Sequence, residues 1–295
     1  MAVYHLSAKP PIKRADGRSA TAAAAYRAGI AILDDRTGVT HDYLRRGGVV
    51  SARLLLPGAA ELADRAAFWN SVERHHKRRD AVVAREVIIA LPVELPAGER
   101  ARLAHAFAMA IADRFGVAAD CAIHKPSING DDRNHHAHIL ISACHADEAG
   151  QLGAKCVLLD PIHCKRSGLD DSVTWLRPQW EKMVNAALRR AGSQSRVSHR
   201  SHAARGIGRR PSIHVGVGPG APQRRYRNSL HRERNRECHE IDQAITRLSA
   251  LKIRLQRQQA EIAAAERSRS QAKRGVQRSP IAPREFRPPM PRLRR

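Results

Sequence analysis

The spacing of apolar residues switches between two periods along the chain, and the switches mark out its elements. Alternation in "AVYHLSAK" predicts a short strand, with Val3, His5 and Ser7 on one face and Tyr4, Leu6 and Ala8 on the other. "PPIKRADG" ends it. "SATAAAAYRAGIAI" reads as a helix capped by Ser19, with four consecutive alanines before Tyr26. "AILDDRTGVTHDYLRRGGVV" predicts two short extended segments around the turn signal Thr37-Gly38. "AELADRAAFWNSVERHHKRR" returns to helical spacing through Leu62, Ala66, Trp69 and Val72. "AVVAREVIIALP" predicts a strand stopped by Pro92. "PAGERARLAHAFAMAIADRFG" predicts a helix closed by a C-terminal glycine. "VAADCAIH" and "HHAHILIS" are two more strands, separated by a polar loop containing "NGDDRN". "SVTWLRPQWEKMVNAALRRAG" is a further helix.

The predicted order is therefore β-α-β-β-α-β-α-β-β-α. Neighbouring strands joined by short loops favour an α+β fold, a central antiparallel β-sheet flanked by helices. From about Pro219 the composition turns polar. Asn228 to about Ser270 predicts a polar helix with Ile241, Ala244, Leu248, Leu251, Leu255 and Ile262 on a 3-4 repeat that Gln258 interrupts. A short coiled coil and a single docked helix both fit that stripe. Residues 271–295 are Arg/Pro-rich and are expected to be disordered. The expected organisation is a folded domain over 1–217, a basic linker and polar helix over 218–270, and a tail over 271–295.

Composition sharpens this division. At 295 residues with 42% hydrophobic content the chain can bury a core, but aromatics are only 4%, so Ala, Val, Leu and Ile must build it. The net charge of +24 points to a polyanionic partner. It is unevenly spread: residues 196–295 hold 25 Lys+Arg against 7 Asp+Glu, so this third carries +18 of the total. The five cysteines, Cys121, Cys144, Cys156, Cys164 and Cys238, show no C-x-x-C spacing, which argues against a disulfide framework and a cysteine zinc site. No charged segment followed by an apolar run opens the chain, and no stretch approaches about 18 apolar residues, so the reading is a soluble cytoplasmic protein without membrane insertion. No phosphate-loop motif G-x-x-x-x-G-K-[ST] is present, which excludes an ATP-driven motor of that class.

Chemistry gathers in "SINGDDRNHHAHILIS". Side chains two apart on a strand point the same way, so His136 and His138 can converge on one ion while His135 faces away. His124 ends the preceding predicted strand, and a hairpin brings it beside them. Three neutral imidazoles suit Mn, Zn, Fe, Ni or Cu, and hold Mg or Mn where a phosphate supplies oxygens. An H-x-H on a strand also arises by chance among 16 histidines, so a structural role stays open here. The chain has four tyrosines, Tyr4, Tyr26, Tyr43 and Tyr226. Tyr26 sits among very small side chains, with Arg18 and Arg27 nearby in sequence. A phenol, with a reference pKa of about 10, needs a metal-polarised electrophile or cationic neighbours to act as a nucleophile. Taken alone, the residue pattern favours a packing role for Tyr26.

Together these segments resemble the MobA/MobL family of plasmid mobilization relaxases, the MobQ-type HUH endonucleases. The likeness lies in "YHLSAK", "GRSATAAAAYRAG", "AREVIIALPVEL", "AIHKPSINGDDRNHHAHILIS" and the later "RVSHRSHAARGI" with "PSIHVG", spanning roughly residues 1–217. The resemblance implies a metal-dependent enzyme that nicks single-stranded DNA at an origin of transfer and transfers the strand. It implies Tyr26 as the nucleophile that becomes joined to the DNA 5′ end, leaving a free 3′ hydroxyl. It implies His124, His136 and His138 as ligands of a divalent ion, Mg or Mn foremost, with Zn or another transition metal as alternatives. It implies Glu86, the acid of "AREV", as a carboxylate that orients a ligand or completes the metal shell. Lys9, Arg18, Arg27 and Lys125 are candidates for tracking the DNA strand, beside a plain solvated-surface reading. Partners would be origin DNA, accessory mobilization proteins and a coupling protein. One departure stands out: relatives often have Asn-Pro-His-x-His, and here His135 fills the proline position of Asn134-His135-His136-Ala137-His138. Whether His5 or His135 assists the site stays open. Two other functions remain at this stage: a rolling-circle replication initiator or transposase with the same chemistry, and a non-catalytic nucleic-acid-binding protein.

Overall fold

The computed structural model describes residues 2–59, 61, 62, 64–126, 131–213, 215 and 218–276. The chain forms two compact units that part between Arg200 and Ser201, ahead of the expected limit at residue 217.

In chain order the first unit contains β1 (Leu6–Ala8), β2 (Ile12–Lys13), α1 (Ala20–Ala28), β3 (Ala31–Asp34), β4 (Val39–Asp42), β5 (Val49–Leu55), β6 (Glu61–Leu62) and α2 (Arg65–His75). It continues with β7 (Val82–Ala90), α3 (Ala97–Phe115), β8 (Val117–His124), β9 (His136–Ala146), β10 (Leu152–Lys155), α4 (Pro161–Ser167) and α5 (Ser172–Arg190). The main sheet runs β1-β7-β9-β8-β5-β6, with β2 also on β7 and β10 on β9, and every pair is antiparallel. β3 and β4 form a separate hairpin. The α+β fold with an antiparallel sheet flanked by helices is thus the observed one.

Several elements differ from the sequence pattern. "VVSARLL" of β5 lacks a clean alternation, yet it fills the sheet beside β8 because backbone pairing tolerates any side chain there. Leu62 belongs to β6, and the helix it was expected to join starts at Arg65, where Asp64 Oδ1 accepts from Ala67 N at 2.8 Å. β10 and α4 lie in the stretch that shows no periodicity.

The sheet is covered on both faces. Against one, α3 and α5 place Phe107, Ile111 and Trp180 over Val87, Ile89, Cys121, Ile123, Ile139 and Ile141. Against the other, α1 and α2 place alanines 20, 23, 24 and 25 with Phe68, Trp69 and Val72 over Ala84, Ala118 and Leu140. The alanines let α1 lie close to the sheet. Its start is fixed twice: Ser19 Oγ accepts from Ala22 N (3.1 Å), and the buried Glu73 Oε1 accepts from Ala20 N (2.6 Å). Gly29, in the left-handed region at φ 67°, ends it.

In the second unit α6 (Ala221–Val276) begins before the expected Asn228 and continues past Ser270. Residues Arg210–Ile213 lie along it. Asn228 exchanges two bonds with the Ile213 backbone and Asn235 two with Arg210, all at 2.7–2.8 Å. The match is metric: three extended residues and seven helical ones each span about 10 Å. That pairing joins Arg210 and Ile213 to the helix. Ile241, Leu248, Leu251, Leu255 and Ile262 are exposed. The expected disordered tail from residue 271 is helical to Val276, and the rest of it lies outside the described residues.

Candidate active site

Register builds the site. β8 and β9 pair with His124 directly opposite His136 and Ala122 opposite His138. The three imidazoles therefore share one face, with ring centroids 4.9–5.5 Å apart. One nitrogen from each lies within 4.8 Å of the others. Three imidazole nitrogens this close could hold one ion if the rings drew together. His135 stands apart: burial first, then the charge of Arg100 on α3, holds its ring below the usual histidine range. His5 is exposed, and its carbonyl accepts from Ala90 N, the residue paired with His136.

Each of the three rings has a hydrogen bond that sets its tautomer. A carbonyl or carboxylate oxygen only accepts, so the bonded nitrogen carries the hydrogen. His124 Nε2 donates to Arg27 O (2.8 Å), His136 Nδ1 to Asn134 O (2.8 Å), and His138 Nδ1 to Glu86 Oε1 (2.6 Å). The other nitrogen of each neutral ring keeps its lone pair. Burial is the main force on His124, pushing its pKa down to about 4, and it lowers His136 as well. Neutral rings with oriented lone pairs are what a divalent ion takes.

Glu86 is 6% exposed on the same face of β7. Burial alone would raise its pKa, but hydrogen bonds from His138 and Arg27 and the Arg27 charge overcome this and bring it to about 2. Arg27 reaches both carboxylate oxygens, Nε to Oε1 at 2.7 Å and NH2 to Oε2 at 2.6 Å, and also bonds Ala23 O at 2.7 Å. Arg27 is therefore buried and committed to Glu86; its guanidinium does not face the surface as strand tracking requires. Its carbonyl holds His124 and its side chain holds the carboxylate that holds His138. The residue after Tyr26 thus ties the helix to two of the three histidines.

Tyr26 is 44% exposed at the C-terminal end of α1. Its ring meets Tyr43 edge-on at 5.2 Å, and Arg46 Cζ lies 3.5 Å from its centroid. Sequence reasoning did not single out Arg46; "YLRRGG" offers only a charge pair beside glycines. Lys9 and Lys125 are exposed and close to the site, since Lys9 N donates to Glu86 O (2.8 Å) and Lys125 follows His124. Arg18 is exposed at the opposite end of α1, with a 3.4 Å bond to Pro11 O. Of the "NGDDRN" loop, residues 129 and 130 lie outside the described residues; Asp131 and Arg133 pair with each other.

The family model for MobA/MobL matches residues 18–225. The chain belongs to the MobA/MobL family. It is 48% identical over 271 residues to the mobilization protein MobL of Acidithiobacillus ferridurans, covering 84% of this chain and 70% of that one. It is 31% identical to a probable mobilization protein MobA of Bifidobacterium longum, spanning 83% of this chain and 49% of that protein. A solved structure described as "Molecular Basis of Vancomycin Resistance Transfer in Staphylococcus aureus" aligns with a TM-score of 0.56 at 30% identity, over 68% of this chain and 100% of that one. The family and the relatives it matches are named for mobilization. No helix among the described residues is long and apolar enough to cross a membrane.

Proposed function

We propose that this protein is a relaxase with Tyr26 as its nucleophile and that nicking depends on a divalent ion held by His124, His136 and His138. The observation that supports this most is the linkage through Arg27, which couples the tyrosine helix to His124 through its carbonyl and to His138 through Glu86. Held by these histidines, an ion, Mg or Mn by preference, would supply positive charge to the oxygens of the scissile phosphate. Glu86 and the Asn134 carbonyl fix the rings of His138 and His136 so that their free nitrogens stay available. Tyr26 Oη attacks phosphorus in line, the bond to the 3′ oxygen breaks, and the product is a 5′-phosphotyrosyl link with a free 3′ hydroxyl. The link conserves the energy of the phosphodiester, so the strand can be rejoined after transfer. Lys9, Lys125 and Arg18 track the single strand, and the arginines of α6 add salt-dependent affinity for DNA. The setting is the cytoplasm, with accessory mobilization proteins and a coupling protein as partners.

The test is incubation with single-stranded and supercoiled origin DNA and Mg or Mn. The expected product is a covalent adduct at Tyr26, lost in Tyr26→Phe; an undiminished adduct would move the nucleophile elsewhere, first to Tyr43. His136→Ala should lower cleavage by more than about a hundredfold while DNA binding changes far less. Equal losses in both would make the histidines structural.

A further inference from the structure

We propose that Arg46 is a further catalytic residue: its guanidinium contacts the scissile DNA phosphate beside Tyr26 and stabilises the negative charge gathered there as the strand is cut. The inference rests on the reading of Tyr26 as the nucleophile.

The loop that carries Arg46 joins the two halves of the site. At its start, Tyr43 N donates to Ile30 O (3.2 Å) and Arg46 N to Tyr43 O (2.9 Å). A Cβ at Gly29, the residue that ends α1, would lie 3.4 Å from Arg46 O and 3.1 Å from Val49 Cγ2. The loop thus passes tightly against the helix end that presents Tyr26, and glycine at this position permits the approach. At its close, Gly48 O accepts from Lys125 N at 2.9 Å, one residue past His124. A residue midway along this loop stands between nucleophile and metal ligands.

Its charge is also uncompensated. Arg27 is matched by Glu86. Among the described residues no carboxylate pairs with the Arg46 guanidinium, and burial lowers its pKa from the ordinary arginine value. The charge is felt at His124 and His136, where it opposes protonation. A partly desolvated cation with no protein anion has its natural counter-ion in the substrate.

Arginine suits the place better than lysine would. The guanidinium offers a flat face and an edge of N–H groups. Its contact with the Tyr26 ring, 3.5 Å from centroid to Cζ, leaves N–H groups free to fork onto two non-bridging phosphate oxygens. In the step, the bond from Tyr26 Oη to phosphorus forms as the bond from phosphorus to the 3′ oxygen breaks. The phenol proton leaves to water, and the 3′ oxygen takes a proton from water. Arg46 stays charged throughout and neither gives nor takes a proton.

The experiment uses the full chain with saturating Mn and a single-stranded origin oligonucleotide, measuring the single-turnover rate of adduct formation and, separately, DNA affinity. Arg46→Ala should slow adduct formation by about 10²–10³-fold while Kd changes by less than about fivefold. Arg46→Lys should recover part of the rate, and added guanidinium should rescue Arg46→Ala. On an oligonucleotide with a methylphosphonate at the scissile position, which lacks one charged oxygen, the gap between wild type and Arg46→Ala should shrink at least tenfold. A wild-type rate in Arg46→Ala, a loss confined to Kd, or an equal gap on both substrates with no guanidinium rescue would overturn the proposal. Tyr26→Phe is the separate control: an adduct surviving there removes Tyr26 as nucleophile, while the rate gap, rescue and methylphosphonate comparison still decide whether Arg46 meets the phosphate.

Discussion

The two faces of one sheet are built from alternate residues of the same three strands, yet they do different work. Toward α3 and α5, the strands present Val87, Ile89, Cys121, Ile123, Ala137, Ile139 and Ile141 to a wholly apolar layer. Toward α1 and α2, the intervening positions include Glu86, Asp120, His124, His136, His138 and Ser142. These side chains are hydrogen-bonded, although Asp120 uses only Oδ2 and its buried Oδ1 has no partner among the described residues. Asp120 accepts from Arg65 (2.8 Å) and Trp69 (2.9 Å), and Ser142 accepts from Ala118 N (3.0 Å). The first face is held by area removed from water, which is indifferent to direction. The second adds to its own apolar cluster directed, charge-assisted bonds that fix ring orientation as well as position. Three imidazoles that must be held in fixed orientations belong on the second.

The largest effect should come from Glu86→Gln, because it touches both stability and chemistry. It leaves the Arg27 charge buried without its anion, costing about 3–5 kcal/mol by thermal or denaturant unfolding. It also loosens His138, so cleavage per folded molecule should fall about 10–100-fold. Phe107→Ala, on the other face against Trp180, should cost a similar 3–5 kcal/mol by the same unfolding measurement. Cleavage per folded molecule should then stay near wild type; an equal loss would show that the faces are not separable. The smallest effect is expected for Lys125→Ala. Plotting log affinity against log salt should show a slope shallower by about one, with cleavage of bound DNA unchanged. An unchanged slope would remove Lys125 from the strand path.

Much of this was legible along the chain. Strand alternation alone puts His136 and His138 on one side and turns His135 away. Ser19, the run of alanines and Gly29 specify a short helix that can press against a sheet. The motifs and their order were sufficient to mark the MobA/MobL resemblance, and the uneven charge announced a polyanionic partner. These are local properties, set by backbone periodicity, capping and composition, and need no distant contact.

The tertiary structure decided the rest. The hairpin that the sequence predicts brings His124 near the other two histidines, but its partner, His136, is set by the register of β8 on β9. Arg27, read along the chain as a cation for DNA, becomes the buried clasp on Glu86 once strand β7 comes under α1, 59 residues away in sequence. Arg46 gains its place because a loop without periodicity is pinned to Gly29 on one side and Lys125 on the other. The physical reason is common to all three. A side chain's charge state and partners depend on which groups are desolvated beside it, and that neighbourhood exists only after the sheet has chosen its register and the helices have closed over it.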